Sequence, residues 1–152
     1  MLVVGKKAPA IKLLDQDGNT VTLASYAGRR VLVYFYPKAD TPGCTQQSCG
    51  LRDIAKKIGD TAIVGISPDA PAKQKKFADK FDLPFPLLSD PDHTVSEAYG
   101  VWKEKSMYGR KYMGVVRSTV VIDAQGVVRA VFSPVNMKTH LKDLHEAVKA
   151  CA

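Results

Sequence analysis

The run Val31–Tyr36, VLVYFY, carries no charged position and stops at Pro37. A strand with one face in water alternates apolar and polar residues. One without that alternation is covered on both faces and belongs inside a sheet flanked by other elements. Directly downstream the period changes. Past Thr41-Pro42-Gly43, the positions Leu51, Ile54, Ala55 and Ile58 recur at the spacing of one helix face. Thr41 is placed as the helix N-cap and Pro42 at its first position, where a missing N–H costs nothing. Gly59 is placed to stop the helix.

Cys44 falls in the first turn, one heptad before Leu51 and so on the inward face. Unpaired amides and the positive end of the helix dipole favour an anion there, and Cys44 is expected to ionise more readily than a free thiol. Cys49 lies about 140° round the axis and roughly 7.5 Å along it, with its Cα about 8–9 Å away. A disulfide needs less than about 7 Å. Pairing of the two would require the first turns to unwind, which Gly43 and Gly50 make easier.

The rest of the chain continues the alternation of strand and helix. Ala10–Ala24 reads as a hairpin around Asp15–Asn19. Thr61–Ile66 is a second buried strand, broken at Ser67-Pro68-Asp69. Asp69 is expected to cap a helix from Pro71, with Phe77 and Phe81 inward and Lys73, Lys76 and Lys80 in water. Leu87-Leu88 is a short strand or extended link, and Asp90–Gly100 turns into a brief helix, with His93 expected as a solvated loop residue. Trp102–Val116 reads as a surface loop whose aromatic residues border the site or simply pack. Ser118–Ile122 and Val127–Phe132 form a hairpin around Asp123–Gly126. Asn136 is expected to cap a final amphipathic helix reaching Ala150, with Met137, Leu141, Leu144, Val148 and Cys151 as its apolar stripe and His140 and His145 at surface positions. Such βαβ alternation predicts a partly parallel sheet.

Length and charge set the remaining bounds. At 152 residues the chain fits one domain with a full core. It has no apolar run of about 18 residues for a membrane span and no secretory pattern at its start, so a cytoplasmic location is expected. Three cysteines are too few for a disulfide framework and suit redox or catalytic use. Neither they nor the three histidines show metal-ligand spacing. The net charge of +7 favours anions or an acidic partner protein, while no nucleic-acid motif is present.

One stretch carries a family resemblance. FYPKADTPGCTQQSCGLRD resembles the active-site segment of the peroxiredoxins, specifically the Q-type subfamily also called bacterioferritin comigratory proteins. Pro37, Thr41 and Cys44 match its Pro-x-x-x-Thr-x-x-Cys motif, and Cys49 matches a second cysteine five residues on. The likeness extends through GISPD, LLSDPDHTVSEAYGVW and RSTVVID. It implies an α/β, thioredoxin-like fold over residues 1–152, a central mixed β-sheet flanked by helices with an N-terminal β-hairpin.

The resemblance also implies a thiol peroxidase for hydrogen peroxide and organic hydroperoxides. Cys44 would be the peroxidatic thiol and Cys49 the resolving one, joined as a Cys44–Cys49 disulfide that thioredoxin or a similar dithiol protein reduces. Pattern alone reads Arg117 as a strand-edge charge; the resemblance makes it the active-site arginine. Thr41 and the amides of Gly43 and Cys44 would position the peroxide, and Pro37 would shape and shield the pocket. No metal, haem or flavin is implied, and a monomer is expected. Some Q-type relatives carry the second cysteine in a later helix, but Pro71–Asp82 has none. Two other readings stand beside this one. A thioredoxin-like disulfide oxidoreductase would favour C-x-x-C, and a holdase or binding module would not need the intact motif.

Overall fold

The computed structural model describes residues 2–55, 58, 61–136 and 138–150, and of His145 only the backbone. The N-terminal hairpin pairs β1 (Lys12–Leu14) with β2 (Thr20–Thr22) antiparallel. Its turn is closed by Asp15, whose Oδ1 accepts from the amides of Asp17 and Asn19 at 2.9 and 3.0 Å. Short acidic side chains favour turns by this means. A 3-10 turn at Leu23–Tyr26 leads into β3 (Arg30–Phe35). Then come α1 (Pro42–Ile54), β4 (Thr61–Ser67), α2 (Pro71–Phe81), β5 (Leu87–Ser89) and α3 (Thr94–Ala98). The chain finishes with β6 (Trp102–Met107), β7 (Arg110–Val115), β8 (Ser118–Ile122), β9 (Val128–Phe132) and α4 (His140–Ala150).

A seven-stranded sheet runs β2-β1-β5-β4-β3-β8-β9. The helical crossovers α1 and α2 return the chain in the same direction, so β3, β4 and β5 pair parallel, while the tight turn before β9 makes that pair antiparallel. The expected mixed sheet is thus present, with β3 between β4 and β8. The unbroken apolar run is explained by its two faces. Leu32, Tyr34 and Tyr36 pack under α1, α2 and α4 with Leu51, Phe77 and Leu144. Val31, Val33 and Phe35 point the other way, against Val95 and Tyr99 around α3. Among the described residues no helix is long and apolar enough to cross a membrane.

Several expectations need correction. Helix α1 ends at Ile54 rather than continuing to Ile58, although Ile58 is still buried; the Gly59 stop lies outside the described residues. Asp69 does not cap α2, whose N-cap is Ala70. Its carboxylate is taken by the Ala39 amide and the Ser67 hydroxyl, both at 2.7 Å. Helix α4 begins at His140, not Asn136, whose Oδ1 accepts from the Lys138 amide instead. Met137 and Cys151 of its apolar stripe lie outside the described residues, as does the His145 side chain. The stretch Trp102–Val116 is not a loop but the β6–β7 hairpin. His93 is not simply solvated, because its ring stacks on Trp102 with centroids 4.0 Å apart.

His140 is the largest departure. It is buried, with Nε2 hydrogen-bonded to Thr119 Oγ1 at 2.9 Å. Burial pulls its pKa down from 6.5 to about 4, with Asp143 opposing and Arg117 reinforcing the shift. The unfolded chain therefore takes up a proton that the folded chain refuses. The resulting stability is complete above about pH 6.5 and is lost as pH falls toward 4, at most about 3 kcal/mol. Urea midpoints measured across this range should fall with acid in the wild type and fall less steeply in His140→Gln. Equal slopes would assign the loss to other groups.

Candidate active site

The site is assembled where β3 ends and β8 begins. The two strands pair antiparallel with Phe35 opposite Ser118, so the chain leaving β3 for α1 passes beside Arg117, the residue before β8. Past Pro37 the connecting loop is pinned from outside. The Ala39 amide donates to Asp69, and Asp40, at φ 56°, pairs with Lys80 at 3.0 Å. Asp69 is itself the end of a buried chain in which Tyr36 donates to Gln74, Gln74 to Ser67 and Ser67 to Asp69.

Thr41 occupies the N-cap position with extended backbone, but its hydroxyl does not cap an amide of α1. It donates to the Lys38 carbonyl at 2.8 Å, which leaves the oxygen lone pairs as acceptors. Cys44 sits in the first turn, wholly buried. Arg117 Nη1 donates both to Cys44 Sγ at 3.3 Å and to Gln47 Oε1 at 3.0 Å. Gly43 makes this approach possible: a Cβ there would stand 2.8 Å from Arg117 Nη2 and 3.3 Å from Cζ. The glycine thus has a packing reason beyond helix flexibility.

Gln47 was not singled out by sequence. It is buried beside Cys44, and its Nε2 has no hydrogen-bond partner among the described residues. The available signal was a polar residue at helical spacing on the face of Cys44, Leu51 and Ile54. Ser48, also buried, is hydrogen-bonded to the Tyr34 hydroxyl at 2.9 Å. Burial pushes that hydroxyl well above the usual tyrosine pKa, so it stays a neutral partner. Gly65 leaves it room, since a Cβ there would come within 2.8 Å.

Lys105, on β6, was also missed. Burial and the nearby Arg117 lower its pKa, while the Cys44 sulfur acts in the opposite sense, so a second cation stands near the sulfur. Cys49 is half-buried and, like Cys44, is a free thiol. Both belong to the unbroken helix Pro42–Ile54, whose geometry keeps them too far apart to bond. Beyond Cys49, Gly50 lets α4 approach: a Cβ there would lie 3.1 Å from Leu141 Cδ2. Pro37 is half-buried at the start of the loop. A cavity of about 760 Å³ opens at the far end of β3, beside Val31, Ile122 and Tyr26, away from this chemistry.

A buried sulfur held by a guanidinium at a helix start is suited to nucleophilic attack on an electrophile with an oxygen leaving group. Comparison with known proteins points the same way. Residues 4–131 match the AhpC/TSA family. Peroxiredoxin Bcp of Escherichia coli strain K12 is 51% identical over 142 residues, 91% of this chain and 90% of that one. The bacterioferritin comigratory protein of Xanthomonas campestris, studied structurally for its alkyl peroxide reduction activity, superimposes with a TM-score of 0.89 at 31% identity. That match covers 97% of this chain and 98% of the other. Peroxidoxin BcpB of Mycobacterium tuberculosis gives 0.88 at 35% identity, over 100% of this chain and 99% of its own.

Proposed function

The chain belongs to the AhpC/TSA family and, within it, to the Bcp or Q-type peroxiredoxins, and on that premise we propose that Cys44 and Cys49 carry its thiol peroxidase chemistry. Hydrogen peroxide or an organic hydroperoxide enters beside Cys44. Thr41 Oγ accepts the hydroperoxide proton's hydrogen bond, and the amides of Gly43 and Cys44 with Arg117 hold the two oxygens in line with sulfur. The Cys44 thiolate attacks the terminal oxygen and the O–O bond breaks. The hydroperoxide's proton passes to the departing oxygen, which leaves as alcohol or water. The Cys44 sulfenate takes back a proton from solvent, equivalent to the one its thiol released on ionising, and becomes a sulfenic acid. The observation that carries this assignment is the guanidinium of Arg117 shared between Cys44 Sγ and Gln47 Oε1.

The first turns of α1 then open and Cys49 sulfur displaces the hydroxyl of the sulfenic acid, which leaves as water and closes the Cys44–Cys49 disulfide. A dithiol protein, thioredoxin or one like it, returns both cysteines to thiols. Pro37 shapes the entrance. Residues 1–152 act as one domain, a monomer in the cytoplasm, because an intramolecular disulfide needs no partner chain.

One equivalent of hydrogen peroxide added to the reduced protein, followed by alkylation and mass spectrometry, tests the assignment. A loss of two hydrogens with a linked Cys44–Cys49 peptide is expected. A persistent Cys44 sulfenic or sulfinic acid with alkylated Cys49 would remove Cys49 from the mechanism.

A further inference from the structure

The β6–β7 hairpin stands apart from the seven-stranded sheet as a two-stranded ribbon. A ribbon of this size gains little stability from itself and normally lays one face on a core. Here the distal half is exposed on both faces. Met107, Tyr108, Tyr112 and Met113 are 56%, 99%, 43% and 50% exposed. Tyr112 lies opposite Lys105 and Met113 opposite Glu104, so apolar side chains emerge on both sides of the ribbon. At its tip Tyr108 adopts φ 52°, a left-handed conformation that costs energy for a bulky side chain, and it projects into solvent. Exposed Tyr, Met and Arg gathered at one end of the ribbon match the composition of interface cores rather than of ordinary surface.

Charge narrows the occupant. The hairpin carries Lys103, Lys105, Arg110 and Lys111 against Glu104, four cations less one acid, or +3, within a chain of +7. A second copy would oppose +3 with +3, whereas an acidic protein surface is drawn to it. Position narrows it further. The base of the ribbon is closed by the Val116 amide on the Val101 carbonyl at 2.7 Å, and the next residue is Arg117, which touches Cys44 Sγ. The ribbon therefore springs from the chain beside the arginine that touches the sulfur of the disulfide to be reduced.

We propose that the β6–β7 hairpin is the docking surface for an acidic dithiol protein that reduces the Cys44–Cys49 disulfide. This rests on the peroxidase cycle proposed above. Docking brings a reductant thiolate to one sulfur of the disulfide; that S–S bond breaks as a mixed disulfide forms, and the released sulfur takes up a proton. The second reductant thiol gives up its proton and attacks the mixed disulfide, freeing the other cysteine as a thiol. Two electrons and two protons pass to this chain, and the reductant leaves as its own disulfide.

The test uses the full chain and the variant Tyr108→Asn/Arg110→Glu, which keeps a residue tolerant of the left-handed tip and reverses one charge. With bacterial thioredoxin as reductant, kcat/KM for thioredoxin should fall about tenfold or more, and its decrease with added salt should be shallower than in the wild type. Turnover supported by dithiothreitol and the single-turnover rate of Cys44 oxidation should be unchanged, which also reports an intact fold. Equal loss with both reductants, or no loss with either, overturns the proposal. So does a wild-type chain that forms the disulfide yet is reduced no faster by thioredoxin than by dithiothreitol. A hairpin-dependent dimer in sedimentation, with unaltered thioredoxin kinetics, would give the surface to a second copy instead. Failure of the underlying cycle looks different: the wild type then forms no Cys44–Cys49 disulfide with peroxide, whichever reductant is present.

Discussion

Cys44→Ser should bring peroxide consumption down to the uncatalysed rate, a loss on the order of 10⁵–10⁶-fold, as expected when the sole nucleophile is removed. The replacement is nearly isosteric, and the residue is wholly buried in the first turn of α1, so the fold has little reason to change. A serine hydroxyl can still accept from Arg117 Nη1, but it is a poor nucleophile without a neighbouring general base. Arg117, the side chain hydrogen-bonded to the sulfur, can donate hydrogen bonds but cannot serve as that base. Cys49→Ser is the contrasting variant. It should complete one turnover at the wild-type rate and then stop as the sulfenic acid unless an external thiol is supplied. Peroxide loss followed by stopped flow separates the two, and residual multiple-turnover activity in Cys44→Ser would move the chemistry to another residue.

Arg117→Met should slow oxidation of Cys44 by about 10²–10³-fold, or about 3–4 kcal/mol in the barrier, the usual cost of removing one preorganised donor from developing charge. Methionine keeps much of the apolar stem and removes all five donors. Arg117→Lys should recover only part of the rate, since an ammonium can take the place of Nη1 on Cys44 Sγ and Gln47 Oε1 but brings no further planar donors for the peroxide oxygens. Stability should fall by about 1–2 kcal/mol, because Gln47 is then left with two buried polar ends lacking partners. Gly43→Ala gives an independent check: its Cβ would collide with Nη2 and displace the guanidinium without deleting it, so its rate should lie between wild type and Arg117→Met. Wild-type single-turnover rates in Arg117→Met would reduce the arginine to a structural role.

The elements that announce themselves by period were readable: the doubly covered β3, the helix carrying Cys44, the parallel crossovers and both sheet hairpins. Cys44 followed from its place at a helix start. What escaped was set by contacts between distant segments. Gln47 is an ordinary helix residue until Arg117, seventy positions away, reaches it. Asp69 looked like a cap because the Ala39 amide that claims it belongs to another loop. His140 looked like a surface residue until α4 was laid against Thr119. The β6–β7 stretch lacked a strand signal because its distal half has neither face buried and its polar and apolar residues do not alternate against a core.

The pairing of Phe35 with Ser118 has a consequence for how such a chain can vary through descent. Everything between those two residues is a detour whose ends are fixed by one rung of the sheet. Loops within the detour can lengthen at little thermodynamic cost, since closure entropy grows only slowly with length. A single residue gained or lost inside Val31–Phe35 or Ser118–Ile122 is another matter. It would turn every following side chain of that strand to the opposite face and carry Arg117 away from the sulfur. Insertions should therefore accumulate in the connections, while the two strands keep their lengths.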